Sequence, residues 1–151
     1  MRPLRNERFV YYDLRHEPFP DDSVDFHNIS HALHHLYRTE AAKLLSDGMR
    51  TLKLDGTIRI VVADLEYIMS LCEGGKRERA LSYFFFESPR SELFCRRYQY
   101  DVLLPHDLLE SAGFRDACRR AYQKGRTPDL CCLDRMPEES RFVEAGRPAG
   151  S

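Results

Sequence analysis

Apolar positions along this chain change period several times, and each change marks an element. Residues 8–14, RFVYYDL, form a β-rich run. Pro18 and Pro20 break it. Asp21, Asp22 and Ser23 then supply side chains that bond their own backbone in a turn. Residues 24–30, VDFHNIS, carry Val24, Phe26 and Ile29 in a short strand, and its imperfect alternation suits a strand covered on both faces. Thr39 is the expected N-cap of a helix, with Glu40 favourable against the helix dipole. Ala41, Leu44, Leu45, Met49 and Leu52 fall on one stripe at helical spacing. Asp55-Gly56 is the expected stop, and residues 57–62, TIRIVV, read as a second buried strand. Strand, helix and strand with short connections predict a right-handed parallel βαβ crossover.

Beyond it, residues 65–72 read as a helix ended by Gly74-Gly75, and residues 76–86 as another helix. Residues 88–102 read mostly as loop. Pro105 opens a helix that Gly113 stops. Residues 114–122 read as a strand, with many arginines, and 140–145, SRFVEA, as a final strand. Residues 146–151 are an expected frayed tail. A single domain is expected, ordered over about 8–145, with no repeat and no low-complexity segment.

Composition narrows the class. The 151 residues are 42% hydrophobic and 31% charged, with a net charge of −1. A chain of this length buries a core without staples. The charge gives no global basic field for nucleic acid. No apolar run reaches membrane-spanning length, and MRPLRNERF has no apolar signal region. Five cysteines with no CxxC pair predict reduced thiols and a cytoplasmic location.

The candidate chemistry gathers in PFPDDSVDFHNISHALHHL, which holds His27, His31, His34 and His35. His31 and His35 are four apart and would share a helical face. A zinc site wants three or four convergent ligands, but Ala32 stands where HExxH has Glu and no Cys or acid has matching spacing; no metal is expected. A neutral imidazole is poised near pH 7, so His31 and His35 are the candidate general bases. One or two of the histidines are expected to line a ligand edge and the others to be surface. Cys131-Cys132 reads as two half-buried thiols, and Tyr83 with Phe84, Phe85 and Phe86 as packing.

The order of the motifs carries more than any one of them. Asp13-Leu14, PFPDDSVDF, SHALHHL, LKLDG, TIRIVVADL and LLESAGF follow one another over residues 8–145. This resembles the second half of the class I S-adenosylmethionine-dependent methyltransferases, of the type-11-like group. The segment DRMPEESRFVEA is similar to the C-terminal end of a small bacterial subgroup of predicted methyltransferases. The chain departs from the family in having no G-x-G-x-G loop, and in His34, Asp55 and Ala63 where the family has Glu, Pro and Pro.

The resemblance implies an α/β, Rossmann-like methyltransferase sheet that is incomplete, with the first strand-loop-helix-strand unit missing. It implies S-adenosylmethionine as cofactor and methyl transfer to a small-molecule acceptor that the sequence does not identify. By resemblance, Asp13 and Leu14 bind the adenine, and Ser30 and His31 face the methionine part and the transferring methyl. Arg15 would close the loop after the adenine contact. Two alternatives remain at this stage: a truncated or degenerate non-catalytic relative acting as an interaction module, or a fragment of a longer enzyme. Neither nucleic acid nor membrane is an expected partner. The strand at 8–14 would either pair with the strand at 24–30 or stay loosely held, and a homodimer through the unpaired sheet edge is expected.

Overall fold

A computed structural model describes residues 13–85 and 95–149. The expected strand at 8–14 lies outside them, except that Asp13 and Leu14 stand in a turn. The described residues build a four-stranded sheet in the order β1-β2-β4-β3, with β1 at Val24–Ser30, β2 at Leu52–Ala63, β3 at Arg115–Arg120 and β4 at Ser140–Gly146. β1 and β2 are parallel, while β4 runs antiparallel to both β2 and β3. The crossover between β1 and β2 is α1, Arg38–Thr51. The chain is thus α/β, and the predicted βαβ unit forms.

Helix α1 starts two residues earlier than a Thr39 cap would place it. Tyr37 is its N-cap, and the Tyr37 amide donates to Glu40 Oε2 at 2.9 Å. Ala41, Leu44, Leu45, Gly48 and Thr51 form its buried stripe. Asp55-Gly56 does not end this helix. The chain turns into β2 at Leu52, and Asp55, at φ 60°, lies inside that strand. Here the β1–β2 register breaks: Val24 faces Leu52 but Phe26 faces Thr57. The Asp-Gly turn chemistry is real, and it is spent on an irregularity within a strand.

The two faces of the sheet are covered differently. Ile58, Ile60 and Val62 of β2, with Val143 and Ala145 of β4, pack in one core with Leu44 and Leu45 of α1. Helix α4, Leu104–Ser111, adds Leu108 and Leu109, and Tyr100 and Phe114 complete this core. Helices α2, Leu65–Glu73, and α3, Arg77–Phe84, form a smaller cluster with Ala63 through Ile68, Leu71, Ala80 and Tyr83. On β2 the alternate residue Arg59 has no exposed surface. Its guanidinium binds Asp134 at 2.6 and 2.9 Å and Glu144 at 3.1 Å, and it donates to the carbonyls of Ala121 and Lys124. So the 121–134 segment, which includes the short α5 at Leu130–Leu133, is tied down by charge. Residues 146 and 147 are not frayed: Gly146 ends β4, and Arg147 bonds Asp22 and the carbonyls of Arg50 and Leu52.

Candidate functional site

β1 ends at Ser30, and the next residue sets the geometry of the site. The His31 amide donates to the Val61 carbonyl at 2.8 Å, carrying the β1–β2 ladder one step further. His31 itself has φ 51°, in the left-handed region that few non-glycine residues adopt and that histidine enters more readily than most. A single turn of 3-10 helix, Leu33–His35, follows. The sharp turn at a strand's carboxyl end, in a sheet whose first two strands are parallel, lies where ligands of open α/β sheets bind.

This turn separates two cavities of about 240 Å3 each. One is bounded by Leu14, Glu17, His27, Asn28, Ser30 and Gly48. The other is bounded by His31, Ala63, Arg79, Tyr83, Arg96 and Glu139. Leu14 and Ser30, both expected cofactor contacts, therefore meet at one cavity, while His31 opens on the other. Asp13, the expected adenine contact, is paired with its neighbour in an exposed ion pair. Both of its carboxylate oxygens accept from the Arg15 side chain, at 2.5 to 3.1 Å, and one also accepts from the Arg15 amide. Hydrogen bonds from the Arg15 side chain and amide hold this carboxyl far below the usual carboxylate range. Arg15 thus closes the loop, as the sequence reading expects.

The histidines do not share one helical face. The left-handed turn at His31 and the 3-10 turn after it replace the expected helix. His31 Nε2 lies 3.1 Å from the Ser140 hydroxyl at the start of β4. His35 Nδ1 donates to the Cys95 carbonyl at 3.2 Å. His34 is not a surface residue: it is 2% exposed, between the rings of His31 and His35 at 6.0 and 4.3 Å. Burial, with the nearby His35, Arg96 and His31, pushes His34 down to about 3. Burial first, then Arg96 and His35, also lowers the pKa of His31, so that its ring is neutral at pH 7.

A second polar group lies under β1, and the sequence reading missed it. The Glu17 carboxylate accepts from the Thr51 hydroxyl at 2.8 Å and lies 3.5 Å from His27 Nε2. His27 Nε2 is also 2.9 Å from the Thr51 hydroxyl, and burial lowers the His27 pKa although Glu17 opposes this. Asn28 Oδ1, beside the same cavity, is buried with no hydrogen-bond partner. Spacing offered no signal here, because Glu17 and Thr51 are 34 residues apart.

The orphaned Asn28 amide oxygen and the Leu14 and Ser30 walls give this cavity one polar and one apolar side. The cavity of about 240 Å3 lies below the roughly 300–1,000 Å3 of typical ligand sites. A cavity of this size has room for only part of a nucleoside-sized molecule. Among the described residues, no group of three or more His, Cys, Asp or Glu is placed to hold a metal ion. Nor is any helix among them long and apolar enough to cross a membrane.

Comparison with known proteins bears on the fold. Residues 2–60 match the family model of a methyltransferase domain, well under half of the chain. No curated protein matches it. Solved structures do. A SAM-dependent methyltransferase from Archaeoglobus fulgidus superposes with a TM-score of 0.60 at 19% identity, over 91% of this chain and 66% of that one. A SAM-dependent methyltransferase from Methanosarcina mazei gives 0.59 at 15% identity, over 92% and 66%. Human N-acetylserotonin methyltransferase, in complex with SAM, gives 0.56 at 18% identity, over 93% and 34%. The chain spans about two thirds or less of the length of these structures. The chain therefore carries the fold of the class I S-adenosylmethionine-dependent methyltransferases over nine tenths of its length, and a methyltransferase-domain signature over residues 2–60.

Proposed function

We propose that this chain supplies the acceptor-side half of an S-adenosylmethionine-dependent methyltransferase site. The observation that carries the reading is the left-handed turn at the carboxyl end of β1, which puts Ser30 on one cavity and His31 on another. When bound, the cofactor supplies an electrophilic methyl on sulfur. This chain's residues hold and orient the reactants. Leu14 and Ser30 wall the cofactor side. His31, neutral at pH 7, takes the proton that a nucleophilic acceptor loses, and the Ser140 hydroxyl fixes its ring. His35, the second candidate base, is anchored through Nδ1 to the Cys95 carbonyl.

One observation favours a second reading, a non-catalytic relative that acts as an interaction module. The Asp13 carboxylate is fully engaged by Arg15 and is not offered to an adenine. Calorimetric titration of the chain with S-adenosylhomocysteine separates the two. Micromolar binding, weakened tenfold or more by Ser30→Phe, is the expected result. A folded chain that takes no ligand at millimolar concentration overturns the methyltransferase reading and leaves the module.

A further inference from the structure

The cavity on the α3 side of His31 has an unusual charge balance. Its wall carries two arginines, Arg79 and Arg96, against one acid, Glu139. Arg79 is exposed and meets Glu139 only at 4.0 Å, the outer limit of an ion pair. Arg96 is half-buried. Its Nη1 donates to the Tyr83 carbonyl at 3.3 Å, and the guanidinium lies 4.9 Å above the Tyr83 ring. Its Nε is buried with no partner, and among the described residues no carboxylate pairs with it. The arginines buried in the sheet behave otherwise: Arg59 grips Asp134 and Glu144, and Arg141 grips Asp64 and Glu66. A half-buried guanidinium with an orphaned Nε and no anion carries part of the cost of burying an unpaired charge. The other titratable groups nearby do not relieve it, since His31 and His34 are kept neutral partly by this same positive charge.

We propose that this cavity binds the oxyanion of a small molecule, a carboxylate or a phosphate, with Arg96 as the principal contact and Arg79 as a second. A guanidinium presents planar paired donors that match either anion. The cavity, at about 240 Å3, takes one such group with a short stem and not a large ligand. Glu139 frees Arg79 as the anion arrives, because their contact is weak and exposed. On the methyltransferase reading, on which this step rests, the anion belongs to the acceptor, whose nucleophile is thereby held beside His31.

The test needs no cofactor. The His31 ring resonances of the purified chain are followed by NMR at low ionic strength during titration with inorganic phosphate, and separately with acetate. A saturable shift in the millimolar range is expected, tenfold weaker in Arg96→Gln and several-fold weaker in Arg79→Gln. Preference for phosphate or acetate tells which oxyanion the cavity is built for. No saturable shift, or a shift unchanged in both variants, overturns the proposal. If Arg96→Gln does not fold, the exposed Arg79→Gln decides. Anion binding without S-adenosylhomocysteine binding sinks the methyltransferase reading and keeps the anion site; the reverse result sinks only the anion site.

Discussion

Replacing Arg59 by methionine should be among the most damaging single changes in this chain. The methionine roughly keeps the volume and removes the charge. Two buried carboxylates then lose a partner, but not equally. Glu144 keeps the amides of Arg126 and Thr127, the Thr127 hydroxyl and the Arg120 side chain. Asp134, 3% exposed, loses both of its guanidinium bonds and keeps only the Gln123 amide at 2.7 Å. The cost is therefore that of about one stranded buried charge, roughly 3–5 kcal/mol. That is a large share of the ~5–15 kcal/mol that holds a typical domain together. Urea unfolding followed by circular dichroism measures it. Arg59→Lys should lie between, at about 1–3 kcal/mol, because a single ammonium cannot reproduce the fork that spans Asp134 and Glu144. A loss below about 1 kcal/mol in Arg59→Met would refute the reasoning, since it would mean that water already reaches the cluster and shares the load.

Acid should weaken the fold well before carboxylates titrate. His34 binds its proton near 6.5 when unfolded but only near 3 when folded, so the unfolded chain takes up the extra proton between these values. The stabilisation is present above about 6.5 and is lost as pH falls toward 3, at up to ~1.4 kcal/mol per pH unit. Unfolding free energies from urea curves at pH 7 and pH 5 should thus differ by about 2 kcal/mol for wild type and by clearly less for His34→Leu; equal values for wild type would exclude it. Gly48→Ala should raise stability by roughly 0.5–1 kcal/mol, because the added Cβ meets nothing closer than 3.8 Å in the body of α1. Gly125→Ala should lower stability, because its Cβ would overlap the Glu144 carboxylate at a φ of 158°, and thermal melts of both glycine variants check the opposite signs. Among the described residues β1 pairs only with β2, so its outer edge should drive self-association. Light scattering at rising concentration should show a dimer, and a constant monomer mass would rule it out.

Much of the fold was legible because local chemistry and burial agree there. The strand at Val24–Ser30 falls at its predicted bounds, and the helix after Pro105 and the strand at Ser140 fall within a residue of theirs. Asp55-Gly56 misled because the same turn chemistry serves a helix end or a kink within a strand, and only the partner strand decides. The α5 turn was missed because four residues give no periodicity. At the candidate site, Ser30 and Leu14, singled out by motif order, line one cavity. The separation of His31 from His35 was not legible, since it depends on one left-handed residue that spacing treats as helical. Arg96 was hidden for a different reason. An arginine is ordinarily a solvated charge, and only its missing carboxylate marks it.

Strand β4 joins the two charged regions. Ser140, Phe142 and Glu144 alternate along it and so share a face. Ser140 holds His31, the Phe142 ring lies 5.1 Å from the Arg59 guanidinium, and Glu144 binds that guanidinium. Hence the ion cluster that ties down the 121–134 segment also fixes the strand that orients the candidate base. TIRIVV reads as apolar on both faces except at Arg59, and that exception marks where the second face is met by carboxylates rather than by a helix. A polar cover of this kind contributes little through apolar burial and depends on complete pairing. The positioning of His31 should therefore share the fate of the Arg59 cluster, and a change at either Asp134 or Glu144 should disturb the His31 ring from across the sheet without touching it.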